Sequence, residues 1–159
     1  MFEIMRDMKD VPNQYQVVQF ISADYRMVGE AQKAFDEEHH VREKLLKDYP
    51  RDEYYFRRCL QTDRILNLVV RCLYWGRVTE NDLLFSLQNL RTHCEKHGIN
   101  YIVFPKPLCD TGFDWLRVYH QIHNVFDSWS GNVAIMLPES DESDEENDKK
   151  EECNNGPAA

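Results

Sequence analysis

The chain has no apolar run long enough to span a bilayer, and Met1 to Met8 contains no hydrophobic leader, so neither a membrane protein nor a secreted one is expected. Paired cysteine spacing is missing too. The five cysteines are odd in number and form no metal-binding pattern, which points to reduced thiols in the cytoplasm or nucleus. Basic excess is the third absence: 28 acidic residues face 19 basic ones, a net charge of -9. Residues 139–159 alone hold nine Asp/Glu and two Lys, leaving 19 acidic and 17 basic residues over 1–138. A near-neutral domain with an acidic tail is not built to neutralise a phosphate backbone, so dedicated nucleic-acid binding is not expected.

The 159 residues make one domain of ordinary size, able to bury a core without disulfides or a metal. Four short, β-branched apolar runs read as buried strands: Val17 to Ile21, Ile65 to Val70, Tyr101 to Phe104 and Val133 to Leu137. Helical patterns lie between them. From Glu80 to His97, Leu83, Leu84, Leu87, Leu90 and Cys94 share one stripe, opened by Thr79 with Asp82 three residues on and closed by Gly98. Asp114 is placed to cap a helix whose apolar face is Trp115, Val118, Ile122, Val125 and Phe126. Glu30 to Asp48 reads as one further helix, with Ala34, Val41, Leu45 and Leu46 available for burial and Pro50 as its stop. Tyr54 to Phe56 and the run from Ile65, joined through Gln61-Thr62-Asp63, resemble a hairpin.

Strands spaced by helices of this length imply a three-layer α/β/α domain over 1–138 with helices on both faces of the sheet. Ligands of such sheets sit at the carboxyl ends of the strands. Two loops are placed for that role, Ser22 to Glu30 and Pro105 to Phe113. Residues 139–159 have no hydrophobic period and are expected to be disordered. They are either a solvated tail or a charge-dependent interaction segment, with Ser143 before Asp144, Glu145 and Glu146 suited to an acidophilic kinase.

Three segments carry a family resemblance: SADYRMVGEAQKAF (22–35), NDLLFSLQNLRTHCEKHGINYIVFPK (81–106) and FDWLRVYHQIHNVF (113–126). In this order and spacing they resemble the macrodomain family, nearest to the branch of terminal ADP-ribose protein glycohydrolases and O-acyl-ADP-ribose deacylases. The likeness spans about residues 3 to 138. It implies a mixed central sheet, ADP-ribose or an ADP-ribosylated protein as ligand, no resident cofactor, and a monomer.

The resemblance assigns residues and shows departures. The carboxylate that accepts from the adenine amino group falls on Asp7, preceded by Arg6 where the family has glycine. Ser22 stands where a polar residue ends the next strand at the ligand. The family's Met-Gly-x-Gly loop is Met27-Val28-Gly29-Glu30, so a β-branched side chain and a negative charge replace two glycines beside a diphosphate. In the second loop Pro107 lacks an N–H, Leu108 and Asp110 take the places of phosphate-loop glycines, and one residue is missing; Gly112 and Phe113 remain as ligand candidates. Asp110 is the only nearby carboxylate for the family's acid. The branch's nucleophilic lysine matches Arg71, whose guanidinium keeps its proton and is a poor nucleophile.

Other constellations carry less chemistry. His93 and His97 lie one turn apart without a third ligand, so no metal site is expected. Cys109 has no assigned base, and Arg71 reads otherwise as a surface charge or an anion contact. The expectation is a degenerate macrodomain that binds or scaffolds with weak or lost ADP-ribose affinity. The alternatives are an ADP-ribosyl glycohydrolase or deacylase in which water attacks without a lysine adduct, and a non-catalytic ADP-ribose reader.

Overall fold

The computed structural model describes residues 2–5, 11–27, 29–105 and 115–136. The described elements are β1 (Phe2–Met5), β2 (Gln16–Ser22), α1 (Glu30–His39), α2 (Val41–Asp48), β3 (Cys59–Thr62), β4 (Ile65–Arg71), α3 (Glu80–His97), β5 (Tyr101–Phe104), α4 (Trp115–Phe126) and β6 (Asn132–Met136). One six-stranded sheet runs β1-β6-β5-β2-β4-β3. Every pairing is parallel except the antiparallel β3–β4 ribbon, so the sheet is mixed, as expected.

Alternation along the strands sends side chains to two faces, and each face finds a cover. Val18, Phe20, Leu66, Leu68, Ile102 and Ile135 pack under Leu83, Leu87 and Leu90 of α3 and Val118 and Ile122 of α4. On the other face Ile21, Ile65 and Val69 meet Val41 and Leu45 of α2, while Val17, Val103 and Ala134 lie beneath Val11 and Tyr15. Helices therefore flank both sides of the sheet, giving three layers. Among the described residues no helix is long and apolar enough to cross a membrane.

The capping signals of α3 hold. Thr79 Oγ1 accepts from the Asp82 N–H at 3.0 Å, Asp82 accepts from the Thr79 N–H at 3.1 Å, and Gly98 closes the helix at φ 68°. Four expectations are corrected. The stretch 30–48 is two helices, broken where His40 turns left-handed at φ 55°. Its N–H still reaches the Asp36 carbonyl, and the Asp36 carboxylate accepts from the Arg42 N–H at 2.8 Å and starts α2 afresh. Ala34 is exposed rather than buried. The hairpin's first strand is 59–62, because Tyr54 and Tyr55 belong to a 3-10 turn over Glu53–Tyr55 whose Tyr54 N–H is capped by Asp52 at 2.9 Å. Gln61 and Thr62 are strand residues, and the reversal lies at Asp63, with φ 55°.

One polar network crosses the sheet through Gln19 and Asn67, which stand inside otherwise apolar strand interiors. Gln19 of β2 donates to the Asn67 side chain at 2.7 Å, and Asn67 donates to the Leu60 carbonyl at 2.9 Å and Thr62 Oγ1 at 3.0 Å. It links β2, β4 and β3 through side chains as well as backbone, and leaves the buried Asn67 amide group with partners.

Candidate functional site

The strand exits define the crevice. The chain leaves β2 toward the face that α2 covers, whereas it leaves β4 for α3, and β5 for α4, on the other. Loops that diverge from neighbouring strands open a cleft at their carboxyl ends. By that rule the β2–α1 segment and the β4–α3 turn flank the candidate site.

Ser22 ends β2, directly across from Arg71 after a register shift at Ile21/Ser22, and the Ala23 N–H keeps the two strand ends joined by donating to the Arg71 carbonyl at 2.8 Å. Ser22 is buried, and its hydroxyl donates to Asp24 Oδ1 at 2.6 Å. The sequence signal for Asp24 is a short one, Ser-x-Asp ahead of a turn, an Asx-type pattern. Asp24 holds both walls: Oδ1 also accepts from the Arg26 N–H at 3.2 Å, and Oδ2 accepts from the Tyr74 N–H at 3.0 Å. Arg26 completes this joint with its guanidinium 4.5 Å from the Tyr74 ring centroid.

The rest of the β2–α1 segment is tied inward. Tyr25 has φ 58°, in the left-handed region that β-carbon residues rarely occupy, and is fully buried. Its hydroxyl donates to the Tyr49 carbonyl at 2.9 Å, and Arg42 Nε donates to its carbonyl at 3.0 Å. Burial first, then the neighbouring Tyr55 and Tyr49, push the Tyr25 phenol up to about 12. Met27 packs with this apolar group rather than standing free. Gly29 is the N-cap of α1 at an ordinary φ of -76°, so the position does not require glycine's backbone freedom. Gln32 Oε1 accepts from the Gly29 N–H at 3.4 Å while Gln32 Nε2 donates to the Phe20 carbonyl. Gln32 keeps only 4% of its surface exposed, so the first turn of α1 is fastened to β2 by a buried amide.

Arg71, at the end of β4, is half-buried and Nη1 donates to the Gly76 carbonyl at 3.2 Å. The structure thus brings Ser22, Met27, Gly29 and Arg71 to one end of the sheet. Asp7, Val28, Pro107, Leu108, Cys109, Asp110, Gly112, Phe113 and Asp114 lie outside the described residues. Among the described residues no group of three potential metal ligands occurs. His93 and His97 have ring centroids 4.4 Å apart, but His93 Nε2 is engaged with Gln61 Oε1 at 2.9 Å.

No protein-family model matches the sequence. No curated protein matches it either. Solved structures do match by shape. The macrodomain of Mycobacterium tuberculosis DarG superposes with a TM-score of 0.71 at 14% identity, covering 87% of this chain and 97% of that one. The macrodomain of Thermus aquaticus DarG gives 0.71 at 15% identity over 87% and 99% of the two chains. Thermosipho africanus DarTG in complex with ADP-ribose gives 0.62 at 14% identity, over 79% of this chain and 39% of that longer one. At these identities the likeness is one of architecture. The chain has a three-layer α/β/α, macrodomain-like fold with a mixed central sheet.

Proposed function

We propose that this chain is a non-catalytic macrodomain-type binding module whose affinity for ADP-ribose is weak. The observation that carries the reading is the internal fastening of α1. A helix N-terminus facing a ligand crevice attracts anions through its free N–H groups and dipole. Here the Gly29 N–H is taken by Gln32, and the first helical residue is Glu30, a negative charge at the end where a diphosphate would be received. The Arg71 contact with Gly76 supports the absence of chemistry: at the position that resembles the branch's lysine, the guanidinium holds the turn and keeps its proton. Recognition of ADP-ribose or an ADP-ribosylated protein follows from the family resemblance, and a cytoplasmic or nuclear location from the thiols.

Calorimetric titration of the full-length protein with ADP-ribose tests the reading. The expected Kd is no tighter than about 100 μM, a binding free energy of about -5.5 kcal/mol. Glu30→Gly together with Val28→Gly should tighten it, less so at high salt, whereas Arg71→Lys alone should not. Incubation with an ADP-ribosylated protein should release no product and leave no ADP-ribose mass on Arg71. Strong binding by the unmodified chain, insensitive to the loop changes, would sink the proposal. Turnover of the ADP-ribosylated protein or of O-acetyl-ADP-ribose would favour the glycohydrolase or deacylase reading.

A further inference from the structure

One carboxylate collects hydrogen bonds from both flanks of the crevice. Asp24 Oδ1 accepts from the Ser22 hydroxyl at 2.6 Å and from the Arg26 N–H at 3.2 Å, while Oδ2 accepts from the Tyr74 N–H at 3.0 Å. The first two bonds are local to the β2–α1 segment. The third is not, because Tyr74 stands 50 positions away in the turn that follows β4. Three donors thus surround one carboxylate at the carboxyl ends of β2 and β4, the end at which sheets of this kind take ligands. Converging N–H and O–H groups make a seat for an oxyanion, and here the oxyanion is the protein's own.

Other contacts keep these donors in place. The Ala23 N–H donates to the Arg71 carbonyl at 2.8 Å and the Tyr25 N–H to the Ser22 carbonyl at 3.0 Å. In the turn, the Gly76 N–H donates to the Leu73 carbonyl at 2.9 Å, and Arg71 Nη1 to the Gly76 carbonyl at 3.2 Å. The two flanks therefore stay joined when Asp24 is withdrawn. Ser22 keeps only 2% of its surface exposed, so its hydroxyl would then be a buried donor without an acceptor, a state that an incoming anion relieves. Asp24 itself is half-buried, which opens the seat to solvent. Arg26 stands beside it, exposed, with its guanidinium 4.5 Å from the Tyr74 ring centroid and paired with no carboxylate of the described residues.

We propose that Asp24 is a built-in competitor: its carboxylate occupies a phosphate-binding seat made by Ser22, Arg26 and Tyr74, and a ligand's phosphate group enters by displacing it. The seat is weak while three hydrogen bonds must be broken first, and strong once the carboxylate is gone. The inference concerns the regulation of the crevice and rests on the crevice being the ligand site. Its probes carry no nucleotide, so this test and the ADP-ribose titration fail separately.

The test uses the full-length protein, its Asp24→Gly and Asp24→Ala variants, and two probes, inorganic pyrophosphate and acetate. In calorimetry, pyrophosphate should bind both variants at least tenfold more tightly than the unmodified protein. Acetate, which puts a carboxylate back, should raise the melting temperature of the variants and not that of the unmodified protein. In the Asp24→Gly background, Ser22→Ala and Arg26→Gln should each weaken pyrophosphate several-fold, the second also flattening its salt dependence. Glu37→Gln, which removes an exposed negative charge from α1 without touching the seat, should leave pyrophosphate binding unchanged. Amide resonances give a reading that needs no variant. At constant ionic strength, high pyrophosphate should shift the Arg26 and Tyr74 N–H signals of the unmodified protein and leave that of Gly98, past the far end of α3, in place. Circular dichroism shows which variants fold, and should neither do so, the amide shifts decide. Equal pyrophosphate affinity with and without the Asp24 carboxyl, binding indifferent to Ser22→Ala, or shifts that bypass Arg26 and Tyr74 overturn the proposal. Equal tightening by Glu37→Gln assigns the effect to net charge and overturns it too. A folded variant that binds neither probe leaves Asp24 as a tether between the flanks and nothing more.

Discussion

Gly131 shows how one hydrogen atom can be required. A β-carbon placed there would lie 2.5 Å from the Trp129 ring and 2.6 Å from the Asn100 carbonyl oxygen. The ring packs in the core beside Phe126, and the Asn100 carbonyl is held by the Asn132 N–H at 2.8 Å, so neither neighbour can withdraw freely. Gly131→Ala should destabilise by about 3 kcal/mol, the cost of overpacking a filled site. Gly76→Ala, whose added carbon meets the Leu73 carbonyl at 3.3 Å, should cost less; urea midpoints of the two variants decide the order. His93 makes a pH-dependent case. Burial, then His97 and Lys96, lower its pKa in the folded chain below the usual histidine value. The unfolded chain therefore takes up this proton first as pH falls, and the His93 contribution to stability, complete above about pH 6.5, is lost between there and the lower folded pKa. His93→Gln should flatten the decline in urea midpoint from pH 7.5 to 5.5, and an unchanged slope would contradict the assignment.

At the scale of elements, helix α3 was legible in the sequence from end to end because each signal acts locally. Thr79 and Asp82 satisfy N–H groups within four residues of one another, Gly98 supplies a left-handed turn, and the leucine stripe needs only a helical period to face the sheet. Thr79→Ala and Gly98→Ala should each cost about 1 kcal/mol. Their sites stand roughly 27 Å apart along the helix, so the double variant should lose about 2 kcal/mol, readable in chemical denaturation. Asp82 adds a second role: burial alone would raise its carboxyl, but the bonds from Arg57 and Thr79 outweigh that and hold it below the usual carboxylate range. The break at His40 was not legible, because it depends on Asp36 leaving its own helix face to receive the Arg42 N–H. The first hairpin strand lies beyond Tyr54–Phe56 for a related reason: two tyrosines and a phenylalanine favour a strand, but the Asp52 cap draws Tyr54 and Tyr55 into a 3-10 turn.

For the whole molecule, the alternation of buried strands with helices is legible because parallel strands need crossover helices, whereas β1 and the sheet order β1-β6-β5-β2-β4-β3 depend on pairings between distant segments. The candidate site was readable only in part. Ser22 and Arg71 are placed by their strand ends, but Asp24 joins the two walls through Tyr74, 50 positions away, and Gln32 fastens α1 through Phe20, 12 positions away. Charge is the other property of the whole chain, and it is unevenly distributed. Residues 139–159 carry -7 of the total -9, with almost no apolar side chain to contribute burial. Their removal takes away self-repulsion and little hydrophobic stabilisation, two small effects of opposite sign. The chain truncated after Pro138 should therefore melt within about 2 °C of the full-length protein, a shift that corresponds to well under 1 kcal/mol for a domain of this size. A fall of 8 °C or more in a calorimetric scan at the same salt would mean that these residues pack against the domain.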